Sequence, residues 1–280
     1  MRHILMNPKS NNGRGEQEVR EYCSGMAGIV YHNVLEMNDK KIFFDSLNSD
    51  DEVFLFGGDG TLNHFINDLR GYNLKNQVYY VKSGSGNDFY RDAEKYAEND
   101  RIHLNRFMEN LPVVNVNGME RAFINGIGYG IDGETCRLGD IQRKKSDKPV
   151  NYGNIAVKLC LYAYRKNKAT IIVDGKTYEY KDVWIAATMK GRYYGGGMMI
   201  APQQDRFNPK GTVSVVCLHK RSRLVTLMRF PSIFKGEHSK WADWCDILEG
   251  KHVQVTFEYP CALQIDGEVI PDVLSYTVKA

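Results

Sequence analysis

The first third of the chain alternates short apolar runs with stretches whose apolar residues recur at helical spacing. "HILMN" (His3 to Asn7) reads as a strand, followed by the loop "PKSNNGRG" and a helix from Glu16. "IVYHNVLEM" is strand-like, and "KKIFFDSL" repeats its apolar positions every three to four residues, as a helix does. "VFLF" (Val53 to Phe56) is short and apolar at every position, which fits a strand buried on both faces. A helix is predicted over Leu62 to Leu69, then the strand "QVYYVK" and another helix opening at Asn87. This alternation predicts a parallel α/β sheet with helices on both faces, over residues 1–110. Ligands of such a sheet sit beyond the carboxyl ends of its strands.

From about Leu111 the texture changes to short β-rich runs: "PVVNVNG", "RAFINGI", "ATIIVDG", "VWIAATM", "TVSVVCL", "HVQVTFE" and "LSYTVKA". Turns such as "VDGK" separate them, so residues 111–280 are expected to form a mostly antiparallel β domain. The final strand is a candidate to pack back on the first domain. No internal repeat or low-complexity segment is visible.

Bulk properties narrow this picture. With 280 residues, 42% of them hydrophobic, the chain is long enough for two cores. Lys+Arg 37 against Asp+Glu 34 is too balanced to point to nucleic acid. The six cysteines are scattered, with no pair at metal-ligand spacing, and read as reduced thiols of a cytoplasmic protein. "MRHILMNP" lacks the apolar core of a signal peptide, and no run approaches the ~20 apolar residues of a membrane-spanning helix. Any work on a membrane is therefore expected from its surface. A homodimer is left open.

Three turns carry the candidate chemistry. "NPKSNNGRG" follows the first strand and offers Ser10, Asn11 and Asn12 with two glycines to an anion. Gly57-Gly58-Asp59-Gly60-Thr61 follows "VFLF"; glycines let a ligand approach the backbone, and Thr61 can bond a phosphate or cap the helix. Ser83-Gly84-Ser85-Gly86-Asn87-Asp88 again lies between strand and helix. Three such loops at successive strand ends should line one edge of the sheet. None closes as a Walker A loop, and none has Rossmann spacing. Asp59 is the odd member, since a phosphate cradle is normally not acidic; on its own it could form an Asx-turn or a helix cap.

"NPKS", "GGDGTLN" and "SGSGNDF", in this order, resemble the diacylglycerol kinase catalytic-domain family, shared by bacterial lipid kinases, sphingosine kinases and ceramide kinases. The resemblance continues through "FINGIGYGID" (Phe123 to Asp132), "GRYYGGGMMIAP" (Gly191 to Pro202) and "LQIDGE" (Leu263 to Glu268). It implies the NAD kinase/diacylglycerol kinase-like fold and an ATP- and Mg²⁺-dependent transfer of phosphate to a hydroxyl of a diacylglycerol-like lipid at a membrane surface. It assigns the nucleotide to Ser10, Asn11, Gly57, Gly58, Gly60, Thr61, Asn63, Ser85 and Gly86. Asp59, Asp88 and Asp132 become the candidates for the cation network, where Mg²⁺ makes a carboxylate favourable beside phosphate. Glu268 becomes the general base, with Asp59 the alternative; read without the resemblance, "IDGEVI" is equally a hairpin turn. Asp266 reads as a turn residue or a nucleotide-side ligand.

The chain departs from the family pattern at three places. His64 stands where the family has Glu, and Lys82 where proline commonly precedes the third loop. "DRFNPKG" replaces an acidic turn that holds a structural Mg²⁺, which leaves Asp205 and Asn208 as its oxygen-bearing side chains. NAD kinase, which also carries GGDGT, and a nucleotide-binding protein with weak or lost transfer activity are the rival readings. Basic "RKKSDK" (Arg143 to Lys148), Trp241, Trp244 and His238 are read as structural or solvated. "HKRSRLVTLMRFPSIFKG" (His219 to Gly236) has helical apolar spacing flanked by basic residues. It suits either an interfacial helix or one packed on the β domain.

Overall fold

Burial of successive residues in two strands, Arg2–Met6 and Glu52–Gly57, organises the first unit. The computed structural model describes residues 1–8, 10, 15–83, 86–145 and 150–280. The chain divides into two units, Met1–Asn110 and Leu111–Ala280.

In the first unit the order is β1 (Arg2–Met6), α1 (Gly15–Tyr22), β2 (Ile29–Asn33), α2 (Lys40–Asp45), β3 (Glu52–Gly57), α3 (Asp59–Asp68), β4 (Gln77–Lys82), α4 (Asp88–Ala93), β5 (Ala97–Glu98) and β6 (Arg101–His103). The strands form one sheet in the order β2-β1-β3-β4-β6-β5. The first four are parallel, and β6 and β5 extend the β4 edge antiparallel. Ile4, Met6, Phe54, Phe56 and Val81 pack with Val19 and Cys23 of the α1 region, so this core is the side of the sheet that α1 covers. Asp39 starts α2 by accepting from the Lys41 and Ile42 N–H groups.

One boundary bears on chemistry. The helix predicted from Leu62 starts at Asp59, with Gly58 as its extended N-cap residue. Asp59, Gly60 and Thr61 are thus the first helical turn rather than a free loop. An acidic residue is favourable there because the helix N-terminus carries partial positive charge.

The second unit contains β7 (Val113–Val116), β8 (Met119–Ala122), β9 (Gly126–Tyr129), α5 (Ile131–Lys145), α6 (Tyr152–Lys158), β10 (Asn167–Val173), β11 (Lys176–Val183), β12 (Ile185–Met189), β13 (Val213–Leu218), α7 (Arg223–Arg229), β14 (Cys245–Gly250), β15 (His252–Ile265) and β16 (Glu268–Lys279). Its sheet runs β14-β13-β12-β9-β15-β16-β7-β8, with β10 and β11 joined through β15, and each of these neighbouring pairs is antiparallel. The last strand, β16, is a full member of this sheet between β15 and β7. Two buried clusters fill the unit. One is built on Val, Ile and aromatic residues including Tyr129, Phe257 and Tyr276; the other joins Trp184, Trp244, Ile200 and Ile233 to the helical segments.

Candidate functional site

The three glycine-containing turns of the first unit are wired to one another. β1, β3 and β4 run parallel in register, Met6 beside Phe56 and Gly57 beside Lys82, so their carboxyl ends share one sheet edge. Asn7 donates to the Thr61 hydroxyl at 3.2 Å, and the Ser10 and Ser83 hydroxyls lie 3.2 Å apart. The Ser83 N–H and the Tyr80 hydroxyl both donate to the Gly57 carbonyl, at 3.1 and 2.8 Å. Ser83 also donates to Glu18 of α1. A side chain at Gly57 would collide with Thr61, its first carbon falling 2.5 Å from the Thr61 Cβ, so glycine is what lets the helix start so close to the strand.

Asp59 ties the second turn to the third. Its carboxylate accepts from the Asp88 and Phe89 N–H groups, each at 3.0 Å. α4 has no side-chain cap of its own, since Asn87 is left-handed there (φ 51°). A carboxylate from the neighbouring helix therefore caps it. Asp88 is buried one residue beyond, and the charges of Asp59 and Asp88 add to burial in raising the Tyr80 pKa well above its ordinary value. Of the other residues assigned to the nucleotide, Gly58, Gly60, Thr61 and Gly86 are partly exposed at this edge. Asn63 is apart from them: it is fully buried within α3 and accepts from Asn67. Asn11 and Ser85 lie outside the described residues, as do Lys148 and part of the basic stretch containing it. His64 is exposed on α3, and the Lys82 ammonium sits 4.2 Å from the Tyr90 ring centre.

The second unit brings together the remaining candidates. Asp266 and Gly267 have φ of 47° and 94°, the left-handed pair that a two-residue hairpin turn requires, and Ile265 pairs with Glu268 across it. The Asp266 carboxylate is buried and accepts from the N–H groups of Ile124, Asn125 and Gly126 at 2.8, 2.9 and 2.8 Å. Buried Arg206 holds the same segment from its other side, donating to the Ile124 carbonyl and to Asn125 Oδ1 at 2.7 Å. Glu268 is the half-buried first residue of β16. Burial raises the Asp140 pKa against the opposing charge of Arg143, and the negative charge of Glu268 adds to the rise, so Glu268 lies within electrostatic reach of α5.

Asp132 occupies the first turn of α5 and is buried. Its carboxylate lies over Gly128 of β9: a Cβ there would stand 1.6 Å from Oδ2. Neither oxygen has a partner of hydrogen-bonding geometry among the described residues. Burial pushes its pKa up to about 6, against the opposing dipoles of its own N–H, Gly133, Tyr194 and Gln264. Among the described residues no three His, Cys, Asp or Glu side chains gather as a metal-holding group. The turn after Asp205 is closed by protein groups: Asp205 accepts from the Phe207 N–H, and Asn208 donates to the Thr212 carbonyl and hydroxyl.

Residues 125–278 match the domain described as YegS C-terminal NAD kinase beta sandwich-like, and residues 2–111 match the diacylglycerol kinase catalytic domain. The chain belongs to the diacylglycerol kinase catalytic-domain family. Among the family's members, a diacylglycerol kinase of Mycobacterium tuberculosis is 26% identical over 195 residues, a match covering 67% of this chain and 61% of that protein. The chain thus spans less than two thirds of that relative's length. A candidate lipid kinase of Staphylococcus epidermidis is 24% identical over 274 residues, covering 90% of this chain and 84% of the relative. The crystal structure of a candidate diacylglycerol kinase from Bacillus anthracis superposes with a TM-score of 0.67 at 16% identity, covering 99% of this chain and 91% of that one, which establishes the shared fold.

Within that family frame, sequence reasoning missed the clamping role of Asp266 and the whole of Arg206. The left-handed Asp-Gly pair carried a signal for the first. Arg206 carried none, because its partners are 81 and 82 residues away. Of the discounted residues, Trp244 and His238 are fully buried, Trp241 is partly buried against the Trp244 cluster, Arg143 to Lys145 are exposed, and the His238 ring nitrogen lies 2.9 Å from the Ile200 carbonyl.

Proposed function

We propose that the chain is an ATP- and Mg²⁺-dependent kinase that transfers the γ-phosphoryl group to a hydroxyl of a diacylglycerol-like lipid at a membrane surface. The observation that carries this reading is the joined sheet edge, where Asn7, Ser10, Thr61 and Ser83 collect hydroxyl and amide donors around partly exposed glycines. Such an edge suits the phosphates of a nucleotide. Family membership supports the reaction class.

Magnesium fits the donor chemistry: it is content with one or two carboxylates, phosphate oxygens and water, and Asp59 and Asp88 are adjacent at that edge. Asp132, whose buried oxygens are unpartnered, is the third oxygen donor that the resemblance names. Bound with the nucleotide, the cation offsets phosphate charge as it builds up. Asp59 holds the third turn against the second by capping α4. Glu268 takes the proton of the lipid hydroxyl as that oxygen attacks phosphorus; the bond to ADP breaks, and the lipid leaves as a phosphate monoester.

Glu268→Gln keeps shape and removes basicity. Single-turnover transfer to diacylglycerol dispersed in detergent should fall on the order of 10²–10⁴-fold, with Mg²⁺-ATP affinity by calorimetry little changed. Transfer at the unmodified rate would place the base elsewhere, with Asp59 the next candidate. Transfer to NAD and to no lipid would sink the lipid reading.

A further inference from the structure

Two helical segments of the second unit form one layer with an unusual outer face. α6 runs into a π turn, Leu159–Ala163, and α7 into a 3₁₀ turn, Phe230–Lys235. The Arg223 guanidinium locks the two together by donating to the Cys160 and Tyr164 carbonyls at 2.7 and 2.8 Å. Inward, Thr226 and Ile233 are buried, and Leu227 and Phe230 pack on the cluster around Trp184. Outward, Leu224 and Met228, one helical turn apart, are 64% and 65% exposed; Tyr162 is 81% and Phe234 46% exposed. An apolar ridge of this kind on a folded protein marks a contact surface.

Within the two segments that form the ridge all the charge is positive, and the next carboxylates after the second segment, Glu237 and Asp243, pair with Lys240 and with Arg221 and Arg229. Residues 150–173 and 219–236 contain no Asp or Glu, while Lys158, Lys220 and Lys235 are exposed among them. Arg221 and Arg229 both pair with Asp243, and Arg223 is committed to carbonyls, so these arginines mainly hold the layer in place. A second copy of the chain meeting this face through a two-fold axis would bring the three exposed lysines of both copies into one interface. The narrow apolar pocket beneath the layer, lined by Val157, Cys160, Leu227 and Phe230, has about 20 Å³, room for roughly one water. It does not admit an acyl chain.

We infer that this outer face docks on an anionic lipid surface, with Leu224, Met228, Phe234 and Tyr162 entering the headgroup boundary and Lys158, Lys220 and Lys235 meeting its charge. The inference rests on the reading that the acceptor is a membrane lipid. Apolar side chains on one helix face, ringed by lysine and joined by tyrosine, are the composition of an interfacial segment.

The test uses the full chain sedimented with vesicles of phosphatidylcholine, with and without phosphatidylglycerol. The unmodified protein should partition to the anionic vesicles, less so as salt rises. Lys220→Glu with Lys235→Glu should lower that partition about tenfold or more. Leu224→Gln with Met228→Gln should lower it about tenfold. Both double variants should keep the unmodified rate of transfer to detergent-dispersed diacylglycerol. Unchanged partition of both variants overturns the docking face and leaves the proposed reaction standing. So does a Leu224/Met228 variant whose single effect is a change of oligomeric state by sedimentation velocity. If the unmodified chain phosphorylates no dispersed lipid yet shows this vesicle dependence, the reaction falls and the docking face stands.

Discussion

Asp59 in the first unit and Asp266 in the second both use a carboxylate to hold the backbone of a distant segment. Asp59 caps α4 through two N–H groups from a partly exposed position in the first turn of α3. Asp266 holds three consecutive N–H groups from a buried hairpin turn. Water can replace much of what Asp59 supplies, whereas nothing described can replace Asp266. Asp132 makes the contrast sharper, being as buried as Asp266 yet with the donors around it, the Gly133 N–H, Tyr194 and Gln264, off hydrogen-bonding geometry. An acidic residue beside glycine is thus a brace in two places and an unsatisfied group in the third. The braces hold backbone in place; the third carboxylate is the one that keeps its proton to higher pH.

The comparison predicts a ranking. Asp266→Ala leaves three buried N–H groups without acceptors, and stability by urea denaturation should fall by about 4 kcal/mol. A loss below about 1 kcal/mol would mean that water reaches the turn and that the two braces are alike.

Asp132→Asn tests the unsatisfied group through pH. The folded carboxyl titrates at about 6, above its ordinary 3.8, so the folded chain holds the proton longer than the unfolded one. Its contribution to stability is fully present below about pH 4 and is lost as pH rises through about 6, by on the order of 2–3 kcal/mol. The stability difference between unmodified protein and variant, measured in EDTA, should fall across that window and be flat outside it. Parallel curves would show Asp132 to be solvated.

Asp59→Ala should be the mildest in stability, about 1 kcal/mol, as for other lost helix caps. Its effect on Mg²⁺-ATP affinity should exceed what that loss explains, because the third turn is released along with the cap. Calorimetry on Asp59→Asn and Asp59→Ala, beside thermal melts, separates the two contributions.

Much of this was legible in the sequence because it is local. The fully apolar "VFLF" gave a buried parallel strand, and the three turns were placed on one edge by the strand–helix alternation alone. The start of α3 was missed because glycine and aspartate read as loop, while capping and dipole favour carrying the helix back to Asp59. The clamp from Asp59 to α4 spans about thirty residues, and that from Asp266 to the Ile124 segment about one hundred and forty. No periodicity encodes such pairings. The same holds for Arg223, which read as one of the basic residues flanking an amphipathic helix and turned out to be a tie between two helical segments.

The Asp266–Gly267 turn has a consequence for how the protein ages. Aspartyl-glycyl bonds are chemically fragile because the glycine nitrogen can attack the preceding carboxyl carbon, closing a succinimide that reopens as β-linked aspartate. Here the carboxyl is pinned by three donors, and the Gly267 N–H is donated to Gln264 Oε1 at 2.8 Å. The ring cannot close until the hairpin opens, so the lesion records how often the second unit has unfolded. Peptide mapping of protein stored folded should find position 266 intact. Material passed through denaturant should carry β-linked aspartate there, and with it a displaced Glu268.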